Sequence, residues 1–228
     1  MKCNKLIWVL CSLFAACVFS ACSNEDSTWD PYHDWQARNA RWFAQVADSA
    51  RRAIAEAKSI YGEDNWTEHC EWRMYKSLQK SADVNTGRLA DSICVKVLEP
   101  GTGTVLPNYN DTVRLSFRGW LMETQYDDGD GGLYSESRVF TQTYYGKYDP
   151  STAAPSTARV ADMIEGFKTA LQYMPEGADW YVYLPQELAY GAKAESEIPA
   201  YSTLLFRINM RAVYPAGSGV PVWKVRER

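Results

Sequence analysis

The sequence predicts an α+β protein, a strongly bent antiparallel β-sheet wrapped on one α-helix and preceded by an N-terminal helical segment. Apolar residues between Trp35 and Ala57 recur at helical spacing. Beyond residue 86 the apolar period falls to two, as in half-buried strands. One later stretch, Ile164 to Met174, returns to helical spacing.

Taken in order, the 228 residues divide into a signal segment over 1–21, a tether and helical segment over 22–86, a main domain over 87–216 and a tail over 217–228. Lys2 and Lys5 precede an apolar run from Leu6 to Phe19, short for a bilayer span and suited to a signal-peptide core. That run ends in Phe19-Ser20-Ala21-Cys22, which resembles a lipobox, with Phe19 where Leu is usual. Cys22 is therefore the expected lipidation site, and acyl chains at roughly 0.8 kcal/mol per buried CH2 would hold the chain to a membrane. The expected location is an outer-membrane lipoprotein facing the periplasm or the cell surface. Glu25 and Asp26 resemble the acidic surface-export signals of some such lipoproteins. After removal of Cys3, Cys11 and Cys17 and modification of Cys22, only Cys70 and Cys94 remain. A disulfide between them and two separate buried thiols are both open.

Asp30 can cap a helix and Pro31 suits its first position; Trp35, Asn39, Trp42, Phe43, Val46, Ala50, Ile54 and Ala57 then share a face. Gly62 is the expected stop. A second, shorter amphipathic helix is expected from about Trp66 through Trp72 and Tyr75 to Leu78, and the polar run Ser81 to Thr86 reads as a linker. The aromatic faces can pack on each other, on the main domain or on a second copy of the chain, which makes a homodimer through these helices one expected assembly.

In the main domain Ile93, Val95 and Val97 alternate with polar or small neighbours, as do Val113, Leu115 and Phe117, and then Trp180, Val182 and Leu184. The helix with Ile164, Phe167, Leu171 and Met174 closes at Pro175-Glu176-Gly177. The last strand, Thr203 to Tyr214, puts Leu204, Phe206, Ile208, Met210 and Ala212 on one face. Two loops stand out. Tyr126 to Glu136 is acidic and glycine-rich but does not follow the EF-hand spacing, so a flexible hairpin without metal is expected. Tyr148 to Ala158 lies just before the helix and is expected to shield or extend a binding face.

Several motifs occur in a meaningful order. Glu99-Pro100-Gly101-Thr102-Gly103 is followed by Asp111 to Gly119; Met163-Ile164-Glu165-Gly166-Phe167 leads to Leu171, Met174 and Gly177; Leu184-Pro185 precedes Leu188-Ala189-Tyr190-Gly191; and Ile198-Pro199 precedes Ser202 to Phe206. Together they make the stretch from about Asp91 to Pro215 resemble an FKBP-type peptidyl-prolyl cis-trans isomerase domain, here on a bacterial, Bacteroides-like lipoprotein.

The resemblance implies a shallow apolar pocket and isomerisation without covalent chemistry or any cofactor. Its catalytic positions would be Tyr190, Phe140, Ile164 and Phe206, with Phe117, Thr141, Met163, Phe167 and Ile198 completing the substrate pocket. By the same resemblance Phe167 forms the floor, while the Ile164 N–H and the Tyr190 hydroxyl hold substrate carbonyls. Thr141 stands where the family usually has an Asp, Phe117 where a Tyr is common and Phe167 where a Trp is frequent. Reduced or lost turnover with retained affinity is the corresponding expectation.

Other classes find less support. A formal net charge of -4 with no Lys/Arg run offers no field for nucleic acid. The two histidines, His33 and His69, both lie in the helical segment and no G-x-S-x-G turn exists, against a hydrolase; no Cys/His cluster suggests zinc. The expected partners are proline-containing polypeptide segments and, through the lipid, a membrane. The rival reading is a non-catalytic binder of a peptide, an envelope protein or a glycan; nine Trp and fifteen Tyr would suit a glycan only if several rings lay exposed on one face.

Overall fold

The computed structural model describes residues 29–80 and 88–223. The signal segment, Cys22, the residues around Glu25 and Asp26, and the whole linker from Ser81 to Thr86 lie outside the described residues.

Helix α1 spans Trp35–His69. Asp30 caps one turn earlier than the helix: its Oδ1 accepts the Tyr32 amide at 2.8 Å, and regular helix begins after Asp34. Gly62 (φ 81, ψ 170) breaks the helical geometry without ending the helix, which resumes to His69. A glycine fits because its backbone conformation is one that L side chains rarely adopt. Trp35, Asn39, Phe43, Ala47, Ala50 and Ala57 form the buried face.

The expected second helix through Trp72 and Tyr75 is corrected by the structure. Trp72–Lys76 is strand β1, paired antiparallel with β2 (Ser92–Glu99) from Trp72 opposite Lys96 to Lys76 opposite Ser92. Aromatics spaced three apart suit a helical face, but β2 presents an open edge, and pairing with it satisfies the backbone of both segments.

The remaining elements are β3 (Thr112–Leu121), β4 (Thr124–Asp127), β5 (Leu133–Glu136), β6 (Val139–Gln142), β7 (Ser156–Arg159), α2 (Glu165–Leu171), β8 (Asp179–Leu184) and β9 (Leu204–Tyr214). The main sheet has seven strands in the order β1-β2-β8-β9-β3-β6, with β7 also on β3; β4 and β5 form a separate hairpin. The described pairings are antiparallel. α2 lies on the sheet, and its Phe167, Ala170 and Leu171 join one core with Ile93, Val113, Leu115, Trp180, Val182, Leu184, Leu204, Ile208 and Met210. The α+β architecture is thus the one the periodicities predict.

Helix α1 is docked on this domain rather than projecting from it. Trp35 belongs to the main core, while Phe43 and Ala47 pack with Cys94 of β2. Asn39, with 0% exposure, accepts the Thr203 amide on Oδ1 at 2.9 Å and donates from Nδ2 to the Trp35 carbonyl at 2.8 Å. Cys70 and Cys94 are free thiols. Among the described residues no helix is long and apolar enough to cross a membrane.

Candidate active site

The centre of the site is a glycine on the middle of three strands. Gly119 of β3 faces Thr141 of β6 on one side and Phe206 of β9 on the other. A Cβ at this position would stand 2.7 Å from Phe140 Cζ, 2.8 Å from Phe206 Cε1 and 2.9 Å from Thr141 Cγ2. The two rings therefore close over the strand because residue 119 has no side chain.

From there a chain of edge-to-face rings crosses the concave side. Phe140 meets Phe206 at 5.4 Å and 87°, Phe206 meets Phe167 at 4.9 Å and 82°, and Phe167 meets Phe117 at 5.9 Å and 77°. Such geometry sets the positive edge of one ring against the negative face of the next. Phe167 comes from α2, which approaches closely because Gly166 leaves room for Leu184; a Cβ there would lie 2.7 Å from Leu184 Cδ2.

A cavity of about 320 Å3 opens on these rings. Its lining includes all nine residues expected from the sequence: Phe117, Phe140, Thr141, Met163, Ile164, Phe167, Tyr190, Ile198 and Phe206. Ile164 is the N-cap of α2 with extended backbone (φ -61, ψ 154), so its amide precedes the helical hydrogen-bond ladder. Burial, assisted by the nearby Glu195 carboxylate and opposed by Lys193, raises the Tyr190 phenol above its ordinary pKa. The hydroxyl is thereby kept protonated as a hydrogen-bond donor.

Ile198 is delivered by a tight turn. The Glu195 amide donates to the Ile198 carbonyl at 3.0 Å and the Ile198 amide returns to the Glu195 carbonyl at 2.9 Å, with Ser196 between them at φ 51. Tyr201, at φ 63, donates its amide to the Gly191 carbonyl at 2.7 Å and ties this turn to the loop of Tyr190. Two non-glycine residues in the left-handed region so close to the pocket mark a backbone shaped by its surroundings.

Four lining residues escaped the sequence reading: Asp162, Glu195, Ser196 and Glu197. Each directly adjoins or lies within three residues of a matched position, which was the available signal. Asp162 pairs with Arg159 at 2.8 Å and Glu195 with Lys193 at 2.9 Å, so the acidic mouth is partly neutralised. The loop Tyr148 to Ala158, expected to shield this face, contributes nothing to the lining. Its Tyr148 hydroxyl and Pro150 carbonyl instead accept from Arg211 on β9, each at 2.7 Å. The segment Tyr126 to Glu136 spans the β4–β5 hairpin, where Asp128 Oδ1 accepts the Asp130 and Gly132 amides, both at 2.9 Å. Among the described residues no cluster of three His, Cys, Asp or Glu side chains could hold a metal ion. A larger cleft of about 610 Å3 near Trp29, Arg38 and Thr124 contains none of the nine expected residues.

Residues 103–211 match the family model described as FKBP-type peptidyl-prolyl cis-trans isomerase. The chain is 31% identical to the FKBP-type 22 kDa peptidyl-prolyl cis-trans isomerase of Escherichia coli strain K12, over 76% of this chain and 69% of that protein. The chain belongs to the FKBP-type isomerase family. It is also 30% identical to the outer membrane protein MIP of Legionella longbeachae, over 56% of this chain and 47% of the relative. The matched part therefore spans about half of that relative's length. A solved peptidyl-prolyl cis-trans isomerase of Pseudomonas syringae has 26% identity and a TM-score of 0.42, covering 75% of this chain and 95% of the other. Helix α1 and β1 lie outside the residues that match the FKBP-type family model, although α1 donates from Trp35 to the Ser202 hydroxyl and accepts from Thr203, just ahead of the strand that carries Phe206.

Proposed function

We propose that the protein is a peptidyl-prolyl cis-trans isomerase and folding assistant of the cell envelope, acting in the cavity bounded by Phe140, Phe167, Tyr190, Ile198 and Phe206. The carrying observation is the convergence of the nine residues expected from the family resemblance on one apolar cavity of about 320 Å3. A prolyl bond rotates against a barrier of roughly 18–20 kcal/mol because the twisted amide loses resonance. The planar, dipolar amide is best stabilised by water, so removing water from it favours the twisted state relative to the ground state. In this reading the ring chain receives the pyrrolidine, and the Tyr190 hydroxyl and the Ile164 amide hold the flanking carbonyls. No proton or electron pair is transferred.

A second reading, a non-catalytic binder, draws on Thr141 and Phe117. Both line the cavity, and neither supplies the carboxylate or the phenol usual at those positions in the family. The glycan version of that reading would need Trp29, the only exposed tryptophan among the described residues, and the exposed Tyr61, Tyr109, Tyr134 and Tyr145 to share one face. Measuring cis-to-trans relaxation of a short prolyl peptide separates the readings. Acceleration proportional to protein concentration is expected. An uncatalysed rate with retained peptide binding leaves the binder.

The tether is part of the proposal: lipidation at Cys22 places the domain on an outer membrane as a Bacteroides-like lipoprotein, facing the periplasm or the cell surface. The relative named an outer membrane protein is in keeping with this. Loss of membrane association on Cys22→Ala, followed by fractionation, is the test. A homodimer through the N-terminal helices would use the outer face of α1, where Ile60 and Tyr61 are exposed, because the inner face packs on its own domain. Sedimentation of the purified chain checks it.

A further inference from the structure

A second cavity of about 320 Å3 adjoins the first. It is lined by Tyr32, Leu121, Arg138, Val139, Phe140 and Glu197, and shares Phe140 and Glu197 with the prolyl cavity. Phe140 is a fixed partition, held edge-on to Phe206.

The far wall comes from outside the family-matched residues. Tyr32 precedes α1, its amide is held by Asp30, and its ring stands edge-on to Trp35 at 5.0 Å and 88°. Trp35 is in turn bonded to Ser202. Arg138 lines this second cavity only. Its guanidinium lies 3.7 Å from the centre of the Tyr126 ring, with Glu136 at 3.8 Å. Tyr134 shares a side-chain hydrogen bond with it, and since a guanidinium has five N–H donors, a side chain held by Glu136, Tyr134 and the Tyr126 ring still has donors for a ligand.

A polypeptide with its proline in the first cavity must leave it past one of the shared walls. An extended chain advances about 3.3 Å per residue, so a side chain within roughly three residues of the proline reaches the neighbouring space. That space combines apolar surface from Leu121, Val139 and Tyr32 with one guanidinium, which fits a short aliphatic stem ending in a carboxylate. Glu197 on the shared rim repels such a group and so directs it toward Arg138.

We propose that this cavity is a second subsite that selects an acidic residue flanking the proline of the client segment, with Arg138 as the specificity-determining residue. The inference rests on the prolyl reading of the first cavity. It is tested by fluorescence anisotropy on the full chain, using a labelled prolyl core peptide and versions extended by Glu, Gln or Lys one to three residues from the proline on either side. At one of these positions the Glu peptide binds about threefold more tightly than the Gln peptide, the scale of a part-exposed ion pair, and the Lys peptide binds more weakly than both. Arg138→Gln brings the Glu-to-Gln ratio to about one, and Glu197→Gln increases it. Equal affinities for all three peptides, or a preference that survives Arg138→Gln, overturn the subsite while leaving the prolyl cavity standing. A core peptide that does not bind at all overturns both.

Discussion

The indole Nε1–H of Trp35 donates to the Ser202 hydroxyl across 2.9 Å, a buried bond between residues 167 positions apart. Ser202 in turn donates its hydroxyl hydrogen bond to the Pro199 carbonyl at 2.6 Å, one residue beyond Ile198. The start of α1 and the Ile198 wall of the pocket are thus one hydrogen-bonded unit. Asn39 extends it one turn further by accepting the Thr203 amide.

Asn39→Ala leaves that buried amide without its acceptor, which costs about 2 kcal/mol. Urea unfolding should register this loss. Affinity for a prolyl peptide should fall further than in Phe43→Ala, which opens a cavity in the satellite cluster around Cys94 without touching the Ile198 turn. Equal losses of affinity at equal stability would show that the bond to Thr203 has only a general structural role.

Gly119→Ala places a methyl group within 2.9 Å of Phe140, Phe206 and Thr141 at once. Strand β3 is hydrogen-bonded on both sides at this position, so the rings must move instead. Overpacking of this kind costs roughly 1–3 kcal/mol. A smaller methyl-deletion elsewhere with the same stability loss should leave peptide binding much less affected than Gly119→Ala does.

The double substitution Thr141→Asp with Phe117→Tyr restores the acid and phenol common in the family at two positions lining the cavity. One additional charge-assisted hydrogen bond, worth about 1.5 kcal/mol in the transition state, corresponds to roughly a tenfold faster relaxation. No change in the prolyl-peptide relaxation rate would show that these two side chains do not limit turnover.

Binding through the Tyr190 hydroxyl should be flat between about pH 6 and 9. Its phenol is raised from the ordinary value of 10.0, chiefly by burial. Because the folded pKa exceeds the unfolded one, the associated stability is fully present below pH 10 and is lost as pH rises through the folded value. Peptide affinity titrated against pH should fall only on that alkaline side, and Tyr190→Phe should remove the fall.

Cys94 should be inert to thiol reagents in the native state. Its side chain is fully buried among Phe43 and Ala47, and burial pushes the thiol up to about 12. Cys70 is partly exposed and should be labelled first. Mass spectrometry after brief labelling with and without urea reads the difference, and rapid native labelling of Cys94 would contradict the docking of α1.

Seven of the nine expected cavity residues were legible in the sequence because each sits in a short ordered motif, Phe140 and Thr141 only through the family resemblance, and the alternation of Ile93 to Val97, Val113 to Phe117 and Trp180 to Leu184 follows directly from the two-residue pleat. Local pattern also determined the buried stripe of α1, from Trp35 to Ala57, though not what it covers. Trp72–Lys76 satisfies a helical and a strand pattern alike, and only the free edge of β2 decides between them. The bonds joining Trp35 and Asn39 to Ser202 and Thr203, the sharing of one cavity by Tyr32 and Phe140, and the placing of Asp162, Glu195 and Glu197 in the lining of the other belong to the same class. They join residues far apart in the chain or depend on how a loop turns, and no local period encodes either. Short-range sterics and hydrophobic spacing are written along the chain, whereas long-range partners are chosen when the folded backbone must satisfy every buried polar group at once.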